Sequence, residues 1–197
     1  MNKSCYDILI LGAGPVGLYA AALAHDKGLS VKIIEATNQI GGQVVNLFPN
    51  KLIHDFPSYQ NILATELVNN LVATVQNANI KINTNEELIH FVKSDDGFEC
   101  KTTNEEFLTK SIIIAIGNGL FTPNKLEIIG ANTDKVTYKV SSNLHDYDNK
   151  DIIILGGGDS AVDFANNIKT NSSANVTIIH RRDVFRANGE NVNKLNK

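Results

Sequence analysis

The residue types in this chain best able to do chemistry are closely spaced glycines, one carboxylate and a pair of guanidiniums. Gly12, Gly14 and Gly17 follow the apolar run Asp7-Ile8-Leu9-Ile10-Leu11 and precede an Ala-rich segment. In a strand, turn and helix of that order, the first glycine permits the turn and the second lets the backbone approach a pyrophosphate. The third lets helix and strand pack closely. The helix N-terminal N–H groups then face the phosphates. A lone GxGxxG is weak, but here a second apolar run ends in Glu35, roughly twenty residues on, where a carboxylate accepts hydrogen bonds from an adenosine ribose 2′-hydroxyl. The competing reading is an ordinary glycine turn with a surface glutamate.

The pattern recurs. Asp151-Ile152-Ile153-Ile154-Leu155 leads into Gly156-Gly157-Gly158-Asp159-Ser160-Ala161, a GxGxxA turn, and a further apolar run ends in His180-Arg181-Arg182-Asp183, with Arg186 beyond. Guanidiniums at the place of Glu35 accept a 2′-phosphate through bidentate, charge-assisted hydrogen bonds and favour NADP over NAD. A solvated basic turn and a nucleic-acid patch are the other readings of these arginines. Asp159 and Ser160 are expected to cap a helix rather than to catalyse. An acidic tip and a basic tip in one chain suggest FAD at the first turn and NADPH at the second, with hydride passing between them. The cofactors then perform the chemistry. No catalytic acid, base, nucleophile or metal cluster is required or visible, and His54 and His180 read as packing or phosphate-proximal residues.

The elements that must position these residues follow from periodicity. Strands are predicted over 7–11 and 30–34, with a helix over 18–25 between them. The polar, glycine-bearing stretch 36–43 reads as a loop, and 44–57, broken by Pro49 and Pro57, as a covering loop. A helix is predicted over 65–76, a strand over 80–83 and a hairpin of 87–92 and 97–103. The apolar run 111–117 reads as a further strand of a parallel sheet. Residues 126–148 read as irregular, and the second copy as strand 151–155, helix 162–169 and strand 176–179. The fold class is α/β. A three-layer, Rossmann-like FAD-binding domain with a small antiparallel β insertion is assigned to 1–118, and an incomplete Rossmann-like NADP-binding domain to 119–197.

Composition sets the outer limits. The 197 residues carry a net charge of −3 and a pI near 5.9, so no bulk field draws nucleic acid. A chain of this length buries about 70% of its unfolded surface. No apolar run is long enough to span a membrane, and Met1-Asn2-Lys3-Ser4 leads directly toward a strand, which predicts a cytoplasmic protein. Cys5 and Cys100 are isolated, form no CxxC pair and read as buried or half-buried thiols.

These motifs resemble, in order, those of the thioredoxin-reductase-like flavoproteins with two dinucleotide domains. The resemblance rests on Gly12-Ala13-Gly14-Pro15-Val16-Gly17, Gly41-Gly42-Gln43, Ala115-Ile116-Gly117, the second glycine turn and His180 to Ala187. Thioredoxin reductase has a CxxC pair after a Tyr that resembles Tyr138, whereas this chain has Lys139-Val140-Ser141-Ser142, which excludes disulfide reduction by that route. Leu47-Phe48-Pro49-Asn50-Lys51, Ile53-His54-Asp55 and Gly119-Leu120-Phe121-Thr122-Pro123 are closer to the thioredoxin-reductase-like ferredoxin/flavodoxin–NADP reductases. That resemblance implies FAD contacts from Glu35, Gln43, Phe48, Leu88 and Phe121. It adds cofactor contacts from Pro15, Gly42, Gly117, Gly156, Gly158, Asp159, Ser160, Ala161, His180, Arg181, Arg182 and Arg186. It further implies a homodimer that delivers electrons to ferredoxin or flavodoxin. Phe48 replaces the family's usual Tyr and His54 an aromatic residue. Family members also continue past the Arg-rich segment and return to the FAD domain with an Asp for the ribityl chain, which implies a fragment, a truncated product or half of a split protein. The alternatives are a related flavin reductase with another acceptor, and a truncated nucleotide-binding module without turnover.

Overall fold

The computed structural model describes residues 4–119, 125–129 and 133–195. They form two compact units, Met1–Tyr138 and Lys139–Lys197.

In the first unit, β1 (Cys5–Leu11), α1 (Pro15–Asp26) and β2 (Val31–Glu35) make the expected strand, turn, helix and strand. A six-residue helix, α2 (Gly42–Leu47), follows, then the two-residue strands β3 (Leu52–Ile53) and β4 (Ile62–Leu63), α3 (Ala64–Asn77) and β5 (Ile82–Thr84). The hairpin β6 (Leu88–Ser94) and β7 (Gly97–Thr102) leads into the long strand β8 (Glu106–Ile114). The six-stranded sheet has the order β5-β2-β1-β8-β7-β6. β1 lies parallel to both β2 and β8, while β8 is antiparallel to β7.

Both faces of β1 and β2 are covered, which is why Ile8-Leu9-Ile10-Leu11 and Ile33-Ile34 are apolar without alternation. Ile10 and Ile33 pack on one face with Leu18 and Ala21 of α1 and Leu67 and Leu71 of α3. Leu9 and Ile34 point to the other face and pack with Cys100 and Phe107 of the antiparallel strands. The insertion thus supplies the third layer.

Three local expectations are corrected. The loop expected over 36–43 and the covering loop over 44–57 contain α2. Gly41 and Gly42 adopt φ of 113° and 62°, a left-handed turn open to glycine, and the Gly41 N–H donates to the Ala13 carbonyl at 2.9 Å. The strand expected over 111–117 ends at Ile114 and starts earlier, at Glu106, because Glu106 and Thr109 break the apolar pattern while still pairing with β7. Cys5 is exposed rather than buried, whereas Cys100 is buried as expected.

The second unit contains a 3-10 turn over Leu144–Tyr147, β9 (Asp151–Leu155), α4 (Asp159–Asn171), β10 (Asn175–Ile179) and α5 (Gly189–Leu195). β9 and β10 pair in parallel with Asp151 opposite Asn175 and Leu155 opposite Ile179. Val162, Ala165 and Ile168 form the buried stripe of α4. The polar helix α5 escapes an apolar-period search and is tied to α4 by hydrogen bonds. Asn191 Nδ2 donates to Asp163 Oδ1 at 2.6 Å, and Asn166 Nδ2 donates to the Asn191 carbonyl at 2.8 Å.

Candidate functional site: two matched glycine turns

The two glycine turns share one backbone design. The Gly12 N–H donates to the Ile34 carbonyl at 2.8 Å, and the Gly156 N–H donates to the Ile179 carbonyl at 3.0 Å, so each turn is fastened to the end of its second strand. Gly14 and Gly158 are the helix N-caps, with φ, ψ of −76°, 177° and −92°, 178°. Their carbonyls accept the first helical bonds from Leu18 and Val162 at 3.0 and 3.2 Å. Neither helix receives a side-chain cap, which leaves the first-turn N–H groups directed out of the helix end. Space at the turns is tight. A Cβ on Gly17 would lie 2.0 Å from the Gly12 carbonyl oxygen, and one on Gly12, at φ 102°, would lie 2.6 Å from that of Ala115. Ala161 takes the third position in the second copy, 3.1 Å from a Cβ built on Gly156.

Several predicted residues gather at the first turn. Glu35 Oε2 accepts from the Ala13 N–H at 2.9 Å, and Oε1 accepts from the Thr37 N–H and hydroxyl at 2.9 and 2.8 Å. The carboxylate is thereby fixed against the backbone of the turn. Pro15 opens α1, and a Cβ on Gly42 would be 3.3 Å from Gly14 Cα. Gln43 Nε2 donates to the Gly119 carbonyl at 3.2 Å, tying the start of α2 to the segment just after Gly117. Phe48 ends α2, with Lys51 Nζ 5.3 Å from its ring centre. Leu88 opens β6, and its side chain packs on the core cluster of Leu9, Ile34, Cys100 and Phe107. Exposed His54 hydrogen-bonds Asn61. Phe121 lies outside the described residues.

At the second turn, residues 180–188 fold over the glycines. The His180 ring covers Gly157, where an added Cβ would lie 2.4 Å from it, and stacks on Phe185 with centroids 5.6 Å apart. His180 Nε2 is buried without a hydrogen-bond partner. The Arg186 N–H donates to the Gly157 carbonyl at 2.8 Å. Arg181, Arg182 and Arg186 are exposed. The expected capping role of Asp159 and Ser160 is not seen. Gly158 is the cap, and Asp159 Oδ1 instead accepts from the Asn188 N–H at 2.8 Å. That bond holds the Arg-bearing loop to the start of α4.

Sequence reasoning missed Thr37, which orients Glu35, and a polar cluster beside β2 in which Lys32, Glu86 and Thr102 are buried and Glu105 is exposed. Among the described residues no cluster of His, Cys, Asp and Glu is placed to hold a metal, and no helix is long and apolar enough to cross a membrane.

Two glycine-capped helices, each fastened to a parallel strand pair, define a protein with paired dinucleotide folds. The chain belongs to the pyridine nucleotide-disulphide oxidoreductase family, whose pattern matches residues 56–195, and residues 10–65 match the NAD(P)-binding Rossmann-like domain. It is similar to the ferredoxin–NADP reductase of Streptococcus sanguinis, at 42% identity over 96% of this chain and 58% of that protein. The Streptococcus agalactiae ferredoxin–NADP reductase is 41% identical over 99% of this chain and 60% of its own length. The chain therefore spans about three-fifths of these curated relatives. Among solved structures, Lactococcus lactis thioredoxin reductase superposes with a TM-score of 0.75 at 29% identity, covering 98% of this chain and 61% of that one. Thioredoxin reductase of T. acidophilum shares the fold with a TM-score of 0.76 at 24% identity, over 98% of this chain and 62% of that one.

Proposed function

We propose that this chain carries the nucleotide-binding framework of an FAD-dependent reductase that takes hydride from NADPH and passes electrons to ferredoxin or flavodoxin. The observation that carries the reading is the pair of matched glycine turns without side-chain caps and with opposite tips, Glu35 beside one and Arg181 and Arg182 beyond the other. The residues fit two dinucleotides. Each turn presents free helix N–H groups to phosphate, and the glycines leave no side chain between backbone and ligand. At the first turn, assigned to an FAD domain of residues 1–118, Gly12, Gly14, Pro15 and Gly17 would hold the pyrophosphate and Glu35 the adenosine ribose. Gly42, Gln43, Phe48, Leu88, Gly117 and Phe121 complete that site by resemblance. At the second turn, assigned to a domain of residues 119–197, Gly156, Gly158, Asp159, Ser160 and Ala161 would hold the pyrophosphate. His180, Arg181, Arg182 and Arg186 would hold the 2′-phosphate.

When bound, nicotinamide and flavin supply the hydride and electron chemistry; the chain's residues bind and orient them. Ferredoxin as acceptor is supported by the names of the curated relatives, flavodoxin by the family resemblance alone, and both by the residues at the place of the CxxC pair. Ser141 and Ser142 stand there, with Ser141 Oγ donating to Asp146 Oδ2 at 2.6 Å. By the same resemblance the working protein is a homodimer.

Titration of the purified chain with NADPH and NADH tests the second site, with intrinsic fluorescence or calorimetry as the readout. NADPH should bind more tightly. Replacing Arg181 and Arg182 together by Ala should abolish the preference and weaken NADPH, since a hydrogen bond to a charged group contributes about 1.5–3 kcal/mol. FAD binding should be unchanged. Equal affinity for NADPH and NADH in the unaltered chain would overturn the Arg181 and Arg182 assignment.

A further inference from the structure

Glu86 is 1% exposed and sits in the connection between β5 and β6. A buried carboxylate carries a high desolvation cost unless it is paired, and this one is well paired. The Thr102 hydroxyl of β7 donates to its Oε1 at 2.6 Å, and Asn83 Nδ2 of β5 donates to its Oε2 at 2.6 Å. Lys32 of β2 is 6% exposed, bonded to Glu105 at 2.7 Å and seated 5.1 Å from the Phe107 ring centre, and its charge acts on Glu86. Burial alone would push the Glu86 carboxyl up, but the bonds from Thr102 and Asn83 and the Lys32 charge outweigh it and hold the group below the ordinary glutamate range.

The backbone around Glu86 is attached to the nucleotide-facing end of β2. The Glu86 N–H donates to the Glu35 carbonyl at 3.0 Å, and the Asn85 N–H donates to the Thr37 carbonyl at 2.9 Å. Those two residues make the carboxylate clamp, in which Thr37 donates twice to Glu35 and Glu35 accepts from Ala13 within the glycine turn. A continuous set of bonds therefore runs from Thr102 in the antiparallel insertion through Glu86 to Ala13.

We propose that Glu86 is a positioning residue: its buried carboxylate, held by Thr102 and Asn83, fixes the strand connection that orients Glu35 against the first glycine turn. Its role in cofactor affinity rests on the reading of that turn as the FAD site, whereas its role in ordering the turn does not. The insertion is then a brace for the adenosine end of the site as well as a cover for the sheet.

Amide hydrogen exchange on the full 197-residue chain tests this, alongside FAD and NADPH titrations, for the unaltered protein, Glu86→Ala and Glu86→Gln. Glu86→Ala should speed exchange at Ala13, Thr37, Asn85 and residue 86 by about tenfold or more, with Ile10 and Ile33 little changed. Glu86→Gln keeps an acceptor for Thr102, and Asn83 can turn its unpartnered Oδ1 to accept from the new amide, so this variant should stay near the unaltered protein. FAD affinity should fall by about tenfold in Glu86→Ala while NADPH affinity holds. Exchange at Ala13 and Thr37 that is unchanged, or that rises evenly throughout the first unit, would overturn the proposal. So would full FAD affinity in Glu86→Ala. Absence of FAD uptake by the unaltered chain would instead overturn the FAD assignment, leaving the amides to decide the role of Glu86.

Discussion

Gly157 is buried, and the space where a side chain would begin belongs to the His180 ring. The contact involves the ring's Cγ and Nδ1, close to its attachment point, so rotating the far end of the imidazole cannot relieve it. Gly157→Ala should destabilise the second unit by about 1–3 kcal/mol, the usual cost of overpacking, and should displace the loop that carries Arg181 and Arg182. Chemical denaturation combined with NADPH titration checks both effects. The middle glycine of the second turn is thus a packing position rather than a neutral spacer. Sequence spacing reveals the outer glycines, because the dinucleotide motif specifies them. It does not reveal Gly157, whose requirement comes from the His180 ring that only the fold brings near. Glu86 was hidden for the same reason. A glutamate among the polar residues 83–87 looks solvated until β2, β5 and β7 close around it.

At the scale of elements, the N-terminal edge of the parallel sheet is fastened by a polar clasp. Asp7 on β1 accepts from Lys110 Nζ on β8 at 2.7 Å and from the Ser30 N–H and hydroxyl, just before β2, at 2.8 and 2.7 Å. The bonds from Lys110 and Ser30 hold its carboxyl well below the ordinary aspartate range. A carboxyl depressed in the folded state stabilises the fold fully above its unfolded pKa, near 3.9, and progressively less as pH falls toward the folded value. Resistance to denaturant should therefore drop below about pH 4, and Asp7→Asn should lower it at neutral pH while flattening that acid limb. Urea midpoints from pH 7 to pH 3 for the two proteins give the comparison. The order of the main elements was legible from the repeated strand, glycine turn and helix. The elements that escaped share a cause: α2 and α5 are short or polar, and the first half of β8 mixes charged and apolar residues. Their stability comes from tertiary partners rather than from local periodicity.

For the whole molecule, a net charge of −3 does not attract anionic nucleotides, so the nucleotide binding proposed above depends on local design. Under the proposed function, backbone N–H groups would serve both turns alike, and the side chains at the strand tips would separate them. The repeat of the turn and the inversion of its tip are both plain in the sequence. What fastens the tips, Thr37 for Glu35 and the Asp159–Asn188 bond for the arginine loop, became visible only in three dimensions.

The contrast between the two cysteines has a practical use. Cys5 is exposed at the start of β1, whereas Cys100 is 3% exposed inside β7, where burial pushes its thiol up and keeps it protonated. A thiol-directed maleimide should therefore modify Cys5 promptly and Cys100 only as fast as the insertion opens. Mass spectrometry of timed, quenched samples should show two well-separated labelling phases, and comparable rates at both thiols would contradict the burial of Cys100. With Cys5 blocked beforehand, Cys100 becomes a built-in clock for the breathing of the layer that covers the sheet.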